Sequence, residues 1–412
     1  LPVRNIVCWN AMISGYAQQS RGREALHCFT LMQREGFEPL PITFTSILKA
    51  CGSLRALDRG KQIHEWIVSK RLLGEDIVLG NALVDMYAKC GMLAKAQQLH
   101  DRLYTQDVVS WTALVSGYAQ EGRGQEALRC FQQMQDVGIL PNLTTFVCIL
   151  KACGSTREIN QGTQIHKDID SRDLLAKDII LGNALLDMYV SCGALDKAEE
   201  LFEELPLHDV VSWNVIITGY VHRGYDEEAL MCYEQMQWEG LSPNVVTFVC
   251  ILKACGIIGA LDNGRQVHAR IDIDGFLGQN IFLGNALIDM YTKCGSLSKA
   301  HLVFCNLPVR DLVSWNSIIA GHVQHGHGQE ALNCFQEMHY DGISPDRTTF
   351  VYALRACEAI GAIKEGEKIH DEVTRKDFLE KDLFLGTALM DMYAKCGLIS
   401  KSQMVFDQLL VR

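Results

Sequence analysis

With 412 residues, the chain is longer than one hydrophobic core ordinarily serves, which leaves several domains or a repeat array. Hydrophobic residues make up 48% of it, which excludes a disordered chain, and no apolar run reaches the length of a membrane span. The formal charge of −11 argues against a surface that holds nucleic acid through general basicity, and leaves open a binder that reads bases with few phosphate contacts.

In chain order, residues 1–5 correspond to Leu307 to Asp311, the tail of a unit that starts before Leu1. Residues 6–107 then form a block that returns at 108–209, 210–311 and 312–412 with no insertion or deletion. The string V-x-W recurs at Val7, Val109, Val211 and Val313. L-G-N-A-L-x-D-M-Y starts at Leu79, Leu181 and Leu283, and its variant L-G-T-A-L-M-D-M-Y at Leu385. Arg412 aligns with Arg310, one residue short of a repeat end, so the expectation is a repeat tract taken from a longer chain.

Each block divides into three related motifs. The first motifs run 6–40, 108–142, 210–244 and 312–346; the second 41–76, 143–178, 245–280 and 347–382; the third 77–107, 179–209, 281–311 and 383–412. Every motif has two apolar-periodic segments of helical length with a glycine-bearing break between them. In the third block, Trp213, Ile216, Ile217 and Tyr220 share one face of a predicted helix, and Ala229, Leu230, Tyr233 and Met236 share a face of the next. Gly240 ends that second helix and Pro243 lies beyond it. One such hairpin cannot bury both faces, whereas stacked neighbours create a continuous core. The expected fold is all-α: a right-handed superhelical solenoid of about twelve helix-turn-helix repeats.

Twelve of the sixteen cysteines recur at equivalent sites: Cys28, Cys51 and Cys90, and their counterparts at steps of 102. No C-x-x-C occurs, so these read as reduced thiols packed between helices rather than metal ligands or disulfides. His64, His166, His268 and His370 recur without partners at metal spacing and read as packing or capping residues. His370-Asp371-Glu372 matches the H-x-E of zinc deaminases in letters alone. The glycine-rich run from Gly321 to Gly328 follows a helix rather than a strand, so it is a turn and not a phosphate loop. No catalysis, cofactor, metal, membrane or small-molecule substrate is expected.

Motif lengths of 35, 36 and 31, with phrases such as N-A-L-V-D-M-Y-A-K-C-G and V-S-W-N-x-I-I-x-G-Y, resemble the P, L and S motifs of PLS-class pentatricopeptide-repeat proteins of plants. The resemblance spans essentially the whole chain. It implies a single-stranded RNA partner, with leading helices lining the concave face and one nucleotide addressed per motif. It also implies a mitochondrial or chloroplast location and a role as the targeting tract of a C-to-U RNA editing factor. A deaminase in trans and accessory proteins are further implied partners. The alternative carried from the sequence is a protein-interaction scaffold with little RNA affinity of its own.

In proteins of this kind the fifth and last residues of a motif select the base. Short polar side chains there can reach the Watson–Crick edge of an unpaired base. The resemblance implies uracil for Asn81 with Asp107, Asn183 with Asp209, Asn285 with Asp311, and Asn316 with Asp346. It implies adenine for Thr112 with Asn142, and cytosine, with uracil tolerated, for Asn214 with Asn244. Asn10 with Leu40 departs from the pattern, Thr45 with Asp76 hints at guanine, and Thr387 lacks its last residue and suggests a purine. Val147, Val249 and Val351 cannot hydrogen-bond a base. The expected site is 5'-NNUANUCNUUNR-3'. An Asn or Asp at a helix start is also an ordinary cap, and that reading stays open. Second residues Val7, Val78, Val109, Ile180, Val211, Phe282, Val313 and Phe384 are expected to pack against base faces, or simply at helix starts. Lys89, Lys293 and Lys395 are candidate phosphate contacts or solvated helix-end lysines, and Ser191 interrupts their series.

Overall fold

The computed structural model of the chain describes residues 5–73, 76–175, 178–278, 280–376, 378 and 382–409; of the terminal assignments, residues 1–4 and Arg412 lie outside the described residues. Among the described residues there are 24 α-helices and no strand. They form two compact units, Leu1–Val215 and Ile216–Arg412. The first holds hairpins α1 (Ile6–Gln18) and α2 (Gly22–Arg34), α3 (Pro41–Ser53) and α4 (Leu57–Ser69), and α5 (Ile77–Lys89) and α6 (Leu93–Asp101). It continues with α7 (Val108–Gln120) and α8 (Gly124–Asp136), α9 (Leu143–Thr156) and α10 (Ile159–Ser171), and α11 (Ile179–Ser191) and α12 (Leu195–Glu204). The unit boundary falls within α13 (Val210–Arg223). The second unit holds α14 (Asp226–Trp238), then α15 (Val245–Ile258) and α16 (Leu261–Ile273), and α17 (Ile281–Lys293) and α18 (Leu297–Asn306). It ends with α19 (Leu312–Gln324) and α20 (Gly328–Tyr340), α21 (Arg347–Ile360) and α22 (Ile363–Arg375), and α23 (Leu383–Lys395) and α24 (Ile399–Gln408).

Polar side chains start the leading helices. Asn5, Asp76, Asp107, Asn142, Asp178, Asn244, Asn280, Asp311, Asp346 and Asp382 each accept a backbone N–H of the helix that follows. Asp209 does the same for Val211 and Ser212, at 2.9 Å each. These bonds satisfy donors that a helix start otherwise leaves bare. Leu40 has no such group; there Pro41 opens α3, and the Leu40 N–H donates to Thr43 Oγ1 at 3.0 Å.

Within each unit the leading helices pack on one another: α1 on α3, α3 on α5, α5 on α7, α7 on α9 and α9 on α11, then α15 on α17, α17 on α19, α19 on α21 and α21 on α23. Trailing helices lodge between leading helices instead, α8 on α7 and α9, and α20 on α19 and α21.

The core repeats with the sequence. Phe44, Phe146, Phe248 and Phe350 are buried, as are Met86, Met188, Met290 and Met392. Each such side chain contributes about 1.5–3 kcal/mol relative to exposure. All sixteen cysteines are free; of the twelve recurrent ones six are buried and six half-buried. Burial pushes the Cys51, Cys153, Cys255 and Cys357 thiols up to about 12, so they stay protonated and inert. The recurrent histidines tie trailing to leading helices. Nδ1 of His64, His166, His268 and His370 lies 2.8–3.0 Å from the hydroxyl of Tyr87, Tyr189, Tyr291 and Tyr393 respectively.

Candidate nucleic-acid interface

The start of each leading helix presents its second residue to solvent. Val7, Val78, Val109, Ile180, Val211, Phe282, Val313 and Phe384 are between 51% and 85% exposed, so none of them is core. Ile42 and Val246 hold the same place in second motifs and are also exposed. The sequence reading passed over these two, although the 102-residue register points to them. A series of exposed aliphatic and phenyl groups at one motif position suits flat, stackable ligands.

Behind each second residue sits the fifth. The Asn81 amide donates to both carboxylate oxygens of Asp107, at 3.0 and 2.9 Å. Asn183 donates to Asp209 at 3.1 Å, Asn285 to Asp311 at 3.1 Å, and Asn316 to Asp346 at 3.3 Å. The last residue of a motif therefore has two duties: it caps the next leading helix and it orients the fifth residue of its own motif. The capping reading of these residues holds, and the same carboxylate also binds the fifth side chain of its own motif.

A third participant was missed from sequence. The third residue of the following motif is a buried hydroxyl at Thr43, Ser110, Thr145, Ser212, Thr247, Ser314 and Thr349. Thr43, Ser212 and Thr349 donate to the amide oxygens of Asn10, Asn183 and Asn316, at 2.5, 2.6 and 2.7 Å. Thr145 Oγ1 lies 2.7 Å from Thr112 Oγ1 and donates to Asn142 at 3.0 Å, linking fifth and last residues through a relay. Ser110 and Ser314 turn to the backbone carbonyls of Asp107 and Asp311 instead, and the Asn81 and Asn285 amide oxygens are buried without a partner. The signal was present in the recurring V-S-W and T-T-F strings, but a Ser or Thr inside an apolar stripe reads as filler.

The carboxylates of Asp209, Asp311 and Asp346 are held ionised. Burial alone raises the Asp209, Asp311 and Asp346 carboxyls. Hydrogen bonds from the backbone, from Ser212, Ser314 and Thr349, and from the paired asparagines outweigh it and bring them below the usual range. The threonines differ. Thr45 and Thr387 donate to carbonyls four residues back, at 3.0 and 2.8 Å, so their hydroxyls face outward as acceptors. Asp76 caps α5, Asn244 caps α15, and Asn214 is buried. Leu40 offers no polar group, and Asn10 accepts instead from Thr43, the third residue of the next motif.

The three candidate phosphate lysines are engaged. Lys89 pairs with Asp85 and Lys293 with Asp289, each at 2.7 Å, and Lys395 pairs with Glu358 at 2.5 Å. The stems of Lys89 and Lys293 lie against Gly52 and Gly256, where an added Cβ would meet Cδ at 3.2 Å. Glu358 stands at the equivalent place in the fourth block, which is why Lys395 has a different partner. Among the described residues, no group of three or more His, Cys, Asp or Glu side chains is placed to hold a metal ion.

A family model described as "PPR repeat family" matches residues 4–53, 106–155, 208–256 and 310–358, and one described as "PPR repeat" matches 81–106, 183–210, 285–312 and 387–412. Together they cover well over half of the chain. Pentatricopeptide repeat-containing protein At3g09040, mitochondrial, of Arabidopsis thaliana is 36% identical over 99% of this chain, which spans 40% of that protein. Pentatricopeptide repeat-containing protein At4g18520, chloroplastic, of the same plant is 34% identical over 99% of this chain, which spans 66% of it. The crystal structure of the pentatricopeptide repeat protein PPR10 from maize superposes with a TM-score of 0.57 at 18% identity, covering 98% of this chain and 69% of that one. The complex of PPR10 with an 18-nt psaJ RNA element gives 0.55 at 16% identity, over 98% and 74%. At those identities the likeness is one of fold.

Proposed function

This chain belongs to the pentatricopeptide-repeat family, and we propose that it binds single-stranded RNA sequence-specifically, one nucleotide per motif. The observation that carries the proposal is the pairing of fifth and last side chains next to exposed apolar second residues. At Asn183 and Asn316 the asparagine's carbonyl oxygen accepts from a hydroxyl and one amide hydrogen faces the carboxylate, leaving one N–H for a base acceptor. The adjacent ionised carboxylate accepts the imino N–H of uracil, which cytosine lacks at that position, so an Asn–Asp pair favours uracil. A last residue of Asn, as in Asn244, offers an amide that can donate to cytosine. A mismatch leaves a buried polar group unpaired at about 1–3 kcal/mol. The solved RNA complex of PPR10 supports an RNA ligand for the fold.

On the same reading the chain is a PLS-type targeting tract of an organellar C-to-U editing factor. The names of the relatives, mitochondrial and chloroplastic, support an organellar location. The repeats position the RNA and perform no reaction themselves; deamination falls to a separate deaminase activity, recruited with accessory proteins. His370, the one H-x-E match, is occupied by Tyr393.

The test is a gel-shift titration comparing 5'-NNUANUCNUUNR-3' with a version scrambled at every position assigned U, A or C. Selective binding of the first is the expected result. Equal binding of both refutes the base assignments, and binding of neither refutes RNA recognition by this chain.

A further inference from the structure

Three of the four second motifs carry valine as fifth residue, at Val147, Val249 and Val351, so base reading cannot be their main contribution. Their ninth residues form a different series: Lys49, Lys151, Lys253 and Arg355, at steps of 102. These lie on leading helices α3, α9, α15 and α21, one helical turn beyond the fifth residue and hence on the same face. All four are exposed, two in each unit. None closes an ion pair with a carboxylate among the described residues. Lys151 feels the charge of Asp187 without pairing with it. The lysines of third motifs differ, since Asp85, Asp289 and Glu358 neutralise them.

We propose that Lys49, Lys151, Lys253 and Arg355 are the phosphate-contacting residues of this chain, gripping the RNA backbone once per three nucleotides, and that the carboxylate-paired lysines of third motifs are not. The inference rests on the RNA-binding reading above. It assigns second motifs an electrostatic role while first and third motifs read bases. It also reconciles a formal charge of −11 with RNA binding, because one series of cations that close no ion pair among the described residues recurs at a defined place on the leading helices. Four phosphate contacts on a single strand give a log Kd against log salt slope of about 3 in magnitude.

The experiment titrates the matched twelve-mer from low to moderate salt with three proteins: the native chain, the quadruple variant Lys49→Gln, Lys151→Gln, Lys253→Gln, Arg355→Gln, and a charge-conserving variant. The last combines Asp85→Asn with Lys89→Gln, Asp289→Asn with Lys293→Gln, and Glu358→Gln with Lys395→Gln. The quadruple variant is expected to lose most of the slope and to bind at least about tenfold more weakly at 0.1 M salt, with an unchanged matched-to-scrambled ratio. The charge-conserving variant keeps the native slope. A native slope in the quadruple variant, or a slope equally flattened in the charge-conserving one, overturns the assignment while leaving RNA recognition intact. Absence of matched binding by the native chain overturns both. All substituted positions are exposed or half-buried, and circular dichroism melts of each variant check that the fold is retained.

Discussion

Asp107 receives both oxygens' worth of hydrogen bonding from the Asn81 amide while its Oδ1 also accepts the N–H groups of Val109 and Ser110 at 3.0 Å. One carboxylate thus joins helix capping to the base selection proposed above. Replacing it can separate the two. Asp107→Asn retains a good cap, so the thermal midpoint should hardly move, while preference at the third nucleotide shifts from uracil toward cytosine. Asp107→Ala should lose both the preference and about 1 kcal/mol of stability. Competition binding with single-base RNA variants, alongside urea unfolding, checks this; an Asp107→Asn protein that still prefers uracil contradicts the assigned role.

His100 is fully buried edge-on against Trp111, with ring centroids 4.3 Å apart, and neither ring nitrogen has a hydrogen-bond partner. Burial lowers its pKa, so it packs as a neutral ring. Phe202 and Phe304 hold the same place and meet Trp213 and Trp315 edge-on at 4.7 and 4.6 Å. His100→Phe should therefore stabilise the chain by about 1–3 kcal/mol, the cost of an unpaired buried polar group. An unchanged or lower urea midpoint counts against this account.

Gly117 and Gly15 share a motif position but not an environment. A Cβ on Gly117 would lie 2.8 Å from Ala88 Cβ and 3.0 Å from Leu93 Cδ2, with Ala88 Cα at 3.4 Å. At Gly15 it would meet nothing within 4 Å. Gly117→Ala must push α5 and α7 apart and should cost about 1–3 kcal/mol. Gly15→Ala should gain up to about 1 kcal/mol from helix propensity alone. Matching melting shifts for the two variants would show that helix spacing is not limiting here.

The four recurrent histidines make stability depend on pH. Burial lowers the pKa of His64, His166, His268 and His370 below 6.5, against opposing pulls from Glu65, Asp170, Asp272 and Asp371. The folded chain then binds fewer protons than the unfolded one, so their contribution is full above about pH 6.5 and is lost as pH falls from there through the folded values. The melting temperature should drop between pH 7.5 and pH 5.5. A quadruple His→Gln variant should show a shallower drop over the same range; an equal drop would assign the effect to other groups.

Much of this molecule was legible without coordinates because its signals are local or periodic. Helix faces follow from spacings of three and four, as with Trp213, Ile216 and Ile217, all buried. Helix starts follow from Asp and Asn at motif ends, and the stacking of hairpins from an apolar pattern that one hairpin cannot bury. The series of exposed second residues was readable too, since a single register places all of them.

What the tertiary structure alone decided were the contacts between side chains of different motifs. Thr349 reaches Asn316 across 33 residues, and Asn81 reaches Asp107 across 26. The i,i+4 pairs of Lys89 and Lys293 are written in the sequence, but the partner of Lys395 is not: it takes Glu358 from a neighbouring helix, 37 residues away. The physical reason is range. Helix propensity, capping and amphipathicity act within about one turn and are written in neighbouring residues. Hydrogen-bond and ion-pair partners are chosen within a few ångströms of space, after packing has brought distant motifs together.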